Sequence, residues 1–288
     1  MRMILRKRSF FYLDNLIDSH CHLNSTEFRG RIDFYLSRAE AAGVRQFIVI
    51  GADLLSSVEA AELAAQYSER GLYATVGIHP HDAKTVDKDI PGGLEKLLGE
   101  KRVVAVGETG LDYYYEHSPK EKQKQVFREH IRLSKEYDLP IILHIRDAME
   151  DALEILRGEG APQKGVFHCY AGGLKYLEQA LSFGYYISFP GVITFAKSEE
   201  LREVARIAPI DRILCETDCP WLAPMPFRGK LNEPANVRYV YEAIAACRSL
   251  SMEELAEKVK QNNMTIFSKI GINGTAENGY KASSFKNV

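Results

Sequence analysis

Eight short runs of β-branched and apolar residues recur along this chain, separated by amphipathic segments of helical period. The runs fall at residues 16–18, 46–50, 72–76, 103–106, 141–143, 165–167, 185–188 and 212–215. Between them, apolar spacing predicts helices over residues 32–42, 54–69, 120–137, 148–157 and 199–207. Strands that alternate with helices build a parallel sheet, and eight is the number that closes one into a barrel. An open doubly wound sheet is the competitor. As a nucleotide binder it would need a G-x-G-x-x-G turn after a strand, and the chain has none. The predicted fold is therefore an α/β protein, a (β/α)8 barrel. Its 288 residues suffice for a single barrel, for which about 250 is typical.

Local signals agree with this division. Gly43 and Gly71 follow helical patterns, where a left-handed residue closes the last turn. Pro140 stops the long fourth helix. Residues 253–270 read as a further helix on the outside of the barrel. No linker splits the chain, so one domain is expected over residues 15–270. Residues 1–14 and 271–288 lack a periodic pattern and are expected to be mobile extensions.

The polar residues mark where the strands stop. The first strand runs into His20-Cys21-His22, the third into His79-Pro80-His81 and the fourth into Glu108. The fifth ends at His144-Ile145-Arg146, the sixth at His168 and the eighth at Glu216-Thr217-Asp218. In such a barrel the C-terminal strand ends form the rim where chemistry happens. Alternation puts His20 and His22 on one face and Cys21 on the other. A histidine at one strand end is more often a hydrogen-bonded structural residue than a ligand. Six ionisable residues aimed at one rim need another explanation, because buried charges are costly unless paired or coordinated. His20, His22, Glu108, His144, His168 and Asp218 are therefore the candidate metal ligands. Their number exceeds the three protein ligands usual for one catalytic ion. Two ions about 3.5–4 Å apart, bridged by a carboxylate, would use the set. Donor softness favours Zn, Mn or Co over Mg.

Composition sets limits. The chain has 37 basic and 39 acidic residues, a net charge of −2. No global positive field exists to drive non-catalytic nucleic-acid binding, although a local grip on a few phosphates remains open. The five cysteines form no C-x-x-C pair, which is the pattern of reduced thiols. The basic start of the chain does not read as a secretory signal, and no run of about 18 apolar residues suits a membrane span. A cytoplasmic protein without membrane contact is expected; the oligomeric state is not readable.

The segments DSHCHL (18–23), GIHPH (77–81), GETGLD (107–112), HIRDA (144–148), ETDCPWL (216–222) and RGKLNEP (228–234), with His168-Cys169-Tyr170 and its following glycines, stand in a fixed order. This series resembles the motifs of the TatD family of metal-dependent deoxyribonucleases, within the amidohydrolase-like superfamily. The resemblance covers residue 16 to about 270. It implies a distorted TIM barrel and hydrolysis of DNA phosphodiester bonds, typically as a 3′→5′ exonuclease. It also implies that His20, His22, Glu108 and Asp218 hold one ion, that Glu108, His144 and His168 hold the other, and that the ions are Mg. Relatives that bridge their metals with a carboxylated lysine differ here, since Glu108 occupies that point.

On this reading two ions activate a water for in-line attack on the phosphate, and Asp218 orients it and accepts its proton. His79, His81 and Arg146 lie at the same rim and are assigned to substrate, as is Arg228 in the basic turn of the last loop. Glu216 shares the parity of Asp218 and is expected to support a ligand histidine. Asp112 is expected to organise its loop, Tyr113, Tyr114 and Tyr115 to pack, and Trp221 to pack under the final loop. Two rivals stand beside the nuclease. One is amide or ester hydrolysis by the same centre, as in an amidohydrolase or an aminoacyl-tRNA deacylase. The other is a metal-binding scaffold without activity.

Overall fold

The computed structural model describes residues 14–87 and 90–271. The readings for residues 1–13 and 272–288 fall outside them. Eight strands form one sheet: β1 (Leu16–Cys21), β2 (Val44–Val49), β3 (Leu72–Val76), β4 (Val103–Asp112), β5 (Ile141–Arg146), β6 (Gly165–Phe167), β7 (Tyr186–Phe189) and β8 (Ile213–Cys215). They lie in chain order, and every adjacent pair from β1 to β8 is parallel. The chain just past β8 closes the ring. Asp218 N–H donates to the His20 carbonyl at 2.9 Å, and His22 N–H to the Cys219 carbonyl at 2.8 Å. The expected barrel is thus formed.

The helices are α1 (Ile32–Ala41), α2 (Leu54–Gln66), α3 (Gly92–Leu98), α4 (Lys120–Glu136), α5 (Met149–Glu159), α6 (Gly173–Ser182), α7 (Glu199–Ile207), α8 (Val237–Arg248), α9 (Met252–Ile266) and α10 (Ser268–Gly271). Capping explains two of the starts: Asp53 accepts from Ser56 N–H ahead of α2, and Ser251 with Glu254 forms a capping box on α9. Buried His130 ties α4 to the end of β3: Nε2 accepts from Ile78 N–H at 2.9 Å, and Nδ1 faces the Val126 carbonyl at 2.8 Å.

β4 runs six residues beyond the 106 at which the sequence pattern stops, because Gly-Glu-Thr-Gly reads locally as a turn. Its register against β5 shifts between Val106 and Thr109. Gly107 sits at φ 138, where a Cβ would lie 2.7 Å from the Ile142 carbonyl oxygen. Only glycine allows that approach, and the irregularity aims Glu108 into the barrel mouth.

The apolar residues form two layers. The larger joins the strands to the surrounding helices. The smaller fills the barrel, taking Ile48, Tyr73, Val104, Ile142, Val166, Tyr186 and Leu214 from β2 to β8, together with Ile266, Phe267 and Ile270. This corrects the reading of residues 253–270 as one external helix. The helix breaks at Phe267 (φ −97°, ψ 74°), and the segment plugs the N-terminal end of the barrel. Tyr73 at the start of β3 meets the Ile270 carbonyl at 3.4 Å, and Lys269 Nζ donates to the Val103 carbonyl at 2.8 Å. The opposite end is left for the polar residues.

Candidate metal centre

The ends of β1, β4, β5, β6 and β8 bring His20, His22, Glu108, His144, His168 and Asp218 together. With His79 after β3 they form three overlapping groups that could hold a metal, His20-His22-Glu108, His20-His168-Asp218 and His79-Glu108-His144. Glu108 lies at its middle, 3% exposed. Its charged partners among the described residues are all imidazoles, and its two oxygens face different sets. Oε2 lies 3.5 Å from His20 Nε2 and 3.8 Å from His22 Nε2. Oε1 lies 3.0 Å from His144 Nδ1, 3.3 Å from His168 Nε2 and 3.6 Å from His79 Nε2.

The first set has the spacing of a coordination shell. Asp218 Oδ1 is 3.6 Å from His20 Nε2 and 3.4 Å from His22 Nε2, and the two Nε2 atoms are 3.3 Å apart. Four ligands at about 2.1 Å around a tetrahedral ion would be about 3.4 Å from one another. The donors therefore fit a divalent ion. Asp218 reaches this position at φ 54, a left-handed conformation that a short polar side chain tolerates.

The second set is oriented from behind. His144 Nε2 faces Asp112 Oδ2 at 3.1 Å, and His168 Nδ1 faces Glu216 Oε1 at 3.0 Å. With a proton on the nitrogen that meets the outer carboxylate, each ring presents its other nitrogen to Glu108 Oε1. Glu216 is held in turn by Ser188 Oγ at 2.5 Å and Cys169 N–H at 2.7 Å. Asp112 also accepts from Tyr114 and Tyr115 N–H, and its Oδ2 lies 3.0 Å from His81 Nε2.

Electrostatics keep the carboxylates ionised. Burial opposes the charge on Glu108, but the surrounding imidazoles, His168 first among them, hold it well below the usual carboxylate range. Burial likewise opposes the charge of Asp218, and the His22 contact and His168 outweigh it. His20 and His79 are pushed down, first by burial and then by a neighbouring imidazole, His168 and His144 respectively. Those two rings keep the lone pair that a metal needs. His168 and His144 are instead pushed up, against burial, by Glu216 and Glu108 and by Asp112 and Glu108 respectively, so a metal there would displace a proton.

A cavity of about 730 Å3 opens above the cluster and includes His79, His81, Arg146, Tyr115 and Trp221 in its lining. His79 Nδ1 accepts from His81 N–H at 3.1 Å. The Arg146 guanidinium lies 4.0 Å from the Tyr114 ring centroid and 4.7 Å from that of Tyr115. Arg228 is not brought in; it lies over Phe195, 4.6 Å from the ring centroid, outside the lining. Tyr113 packs as expected, donating to Asp151 at 2.7 Å, whereas Tyr114 and Tyr115 stay exposed. Trp221 does not pack under the final loop: it is 54% exposed at the cavity.

Two supports were missed in the sequence. Asp18 accepts from Thr217 N–H at 2.9 Å and Thr217 Oγ1 at 2.6 Å, bracing the turn that carries Asp218. Its parity with His20 and His22 was the available signal. Buried Asn232 donates to the Thr217 and Trp221 carbonyls at 2.9 and 2.7 Å; it lies inside the RGKLNEP segment, but nothing local shows what it holds.

Comparison with known proteins bears on this site. The family model described as TatD related DNase matches residues 17–268. The chain is 40% identical over 253 residues to the uncharacterized metal-dependent hydrolase YabD of Bacillus subtilis, covering 88% of this chain and 98% of the relative. It is 38% identical over 259 residues to the uncharacterized metal-dependent hydrolase YcfH of Escherichia coli, covering 88% and 95%. The crystal structure of YJJV, a TatD homologue from Escherichia coli, superposes with a TM-score of 0.84 at 31% identity, covering 89% and 99%. This chain belongs to the TatD-related DNase family and is a metal-dependent hydrolase.

Proposed function

We propose that the protein hydrolyses phosphodiester bonds in DNA, removing nucleotides from the 3′ end, with two divalent ions held on either side of Glu108. The two-ion centre is supported by the division of Glu108, with Oε2 turned to His20 and His22 and Oε1 to His144 and His168, and DNA as the substrate by the family match. His20, His22, Glu108 and Asp218 would hold one ion, and Glu108, His144 and His168 the other. The family resemblance favours Mg, while the imidazole-rich donor set suits Mn, Zn or Co. When bound, such ions lower the pKa of a water and neutralise charge on a phosphate.

The remaining work falls to side chains. Asp218, ionised and 14% exposed on its side chain, stands where the cavity meets the cluster. It orients the attacking water and takes its proton. Arg146 offers a planar cation to a phosphate oxygen, held in place by Tyr114 and Tyr115. His79, kept neutral by burial, has Nδ1 occupied as an acceptor, so Nε2 carries the proton and donates. His81 stands beside it, and Arg228 can reach only a more distant part of a strand. DNA would bind as substrate, without a broad electrostatic surface to hold it elsewhere.

The test is to incubate the purified protein with 5′-labelled single-stranded DNA in Mg, Mn or EDTA. A metal-dependent ladder that shortens from the 3′ end supports the proposal. No cleavage with any divalent ion, together with turnover of amide or ester substrates, would move the protein to the rival hydrolase class.

A further inference from the structure

Trp221 is the chain's single tryptophan, and its position is fixed although its ring is exposed. Its backbone N–H donates to the Asp218 carbonyl at 3.0 Å, and its backbone carbonyl accepts from buried Asn232. The ring meets His22 edge-on, with centroids 5.0 Å apart. A large apolar ring is thus held in water beside the candidate metal centre, at a cost in hydration that packing elsewhere would avoid.

The surroundings point to its ligand. Trp221, Leu222, Val192 and Ala171 line the cavity with apolar surface, whereas Glu108 and the imidazoles supply polar atoms. Trp221 follows β8 and Tyr115 follows β4, four strands away in a ring of eight. The two aromatic residues therefore stand on opposite sides of the mouth, with the cluster between them. A phosphate alone would use none of the apolar wall. A phosphate joined to a flat, apolar-faced group would use both parts, and a nucleobase is such a group.

We infer that Trp221 is the stacking platform for the nucleobase next to the scissile phosphate, and so sets the preference of the site for nucleotides over other phosphate esters. This rests on the phosphodiesterase reading above. Arg146 and its two tyrosines occupy the other wall and take the strand where it leaves the site.

Because there is one tryptophan, its fluorescence reports on this residue alone. The metal-loaded protein is titrated with a short oligothymidylate whose terminal linkages are phosphorothioates to slow cleavage. It is then titrated with the same strand lacking its terminal base. Saturable quenching is expected with the first, and about tenfold weaker binding with the abasic strand. In cleavage assays Trp221→Ala raises KM by about the same factor, and Trp221→Phe recovers most of the loss because a phenyl ring still stacks. Equal affinity for both strands, or an unchanged KM in Trp221→Ala, overturns the stacking role while leaving the nuclease reading intact. Failure to bind or shorten any strand with any divalent ion overturns both.

Discussion

Nε2 of His144 lies 3.1 Å from Oδ2 of Asp112, and this contact decides which face of the ring meets Glu108. With the Nε2 proton directed at Asp112, Nδ1 is the nitrogen left facing Glu108 Oε1, 3.0 Å away, where a bound ion would take the place of the proton between them. Asp112 thereby acts on the candidate centre through His144. On the next strand His168 Nδ1 lies 3.0 Å from Glu216 Oε1 as an ion pair, without the geometry of a hydrogen bond.

Asp112→Asn tests this relationship. The asparagine keeps Oδ1 to accept from Tyr114 and Tyr115 N–H, so the turn is preserved. Its amide can no longer serve His144 as a carboxylate. Metal affinity should fall by about 10- to 100-fold, with activity recovering at high metal concentration. Calorimetric metal titration checks it; unchanged affinity would reduce Asp112 to a purely structural role.

Glu108→Gln removes the charge between the two imidazole sets while keeping the shape. Activity should fall by more than the roughly 100-fold typical of a residue that only supports a ligand, and bound metal should drop in elemental analysis. The metal-free barrel should melt at a lower temperature, since the imidazoles around Glu108 lose the carboxylate that they hold ionised. A variant that retains both metal and activity would refute the bridging role.

His130 makes stability depend on pH. Burial pushes its folded pKa down to about 4 from 6.5. Between those values the unfolded chain binds a proton that the folded protein does not. Its stabilisation is complete above pH 6.5 and is lost as pH falls toward 4. The interval of about 2.5 units corresponds to about 3 kcal/mol. Denaturant unfolding at a series of pH values should show this slope in the wild type and a shallower one in His130→Gln.

Phe267 closes the far end of the barrel and is fully buried. Phe267→Ala should cost about 3–5 kcal/mol through lost burial and the cavity left behind. Because the plug and the metal centre lie at opposite strand ends, kcat of the folded fraction should stay the same. Thermal melts and single-temperature kinetics separate the two effects; a large fall in kcat with little loss of stability would contradict this division.

The order of strands and helices and the six polar residues at the strand ends were legible in the sequence. Both are local: alternation and helical period show which way a side chain points, and a parallel strand's C-terminal end has only one rim to face. What only the tertiary structure decided depends on groups distant in sequence. The two oxygens of Glu108 acquire different partners because β4 continues past Gly107 against β5. Asp112 becomes a support for His144 because Asp112 on β4 pairs in register with Arg146 on β5. Trp221 is exposed at the cavity, and its backbone carbonyl is held by Asn232, eleven residues later. Phe267 enters the barrel because the smaller apolar layer leaves that end open. Local pattern sets a side chain's direction, but its partner is chosen by packing across the barrel, and no short window of sequence contains both.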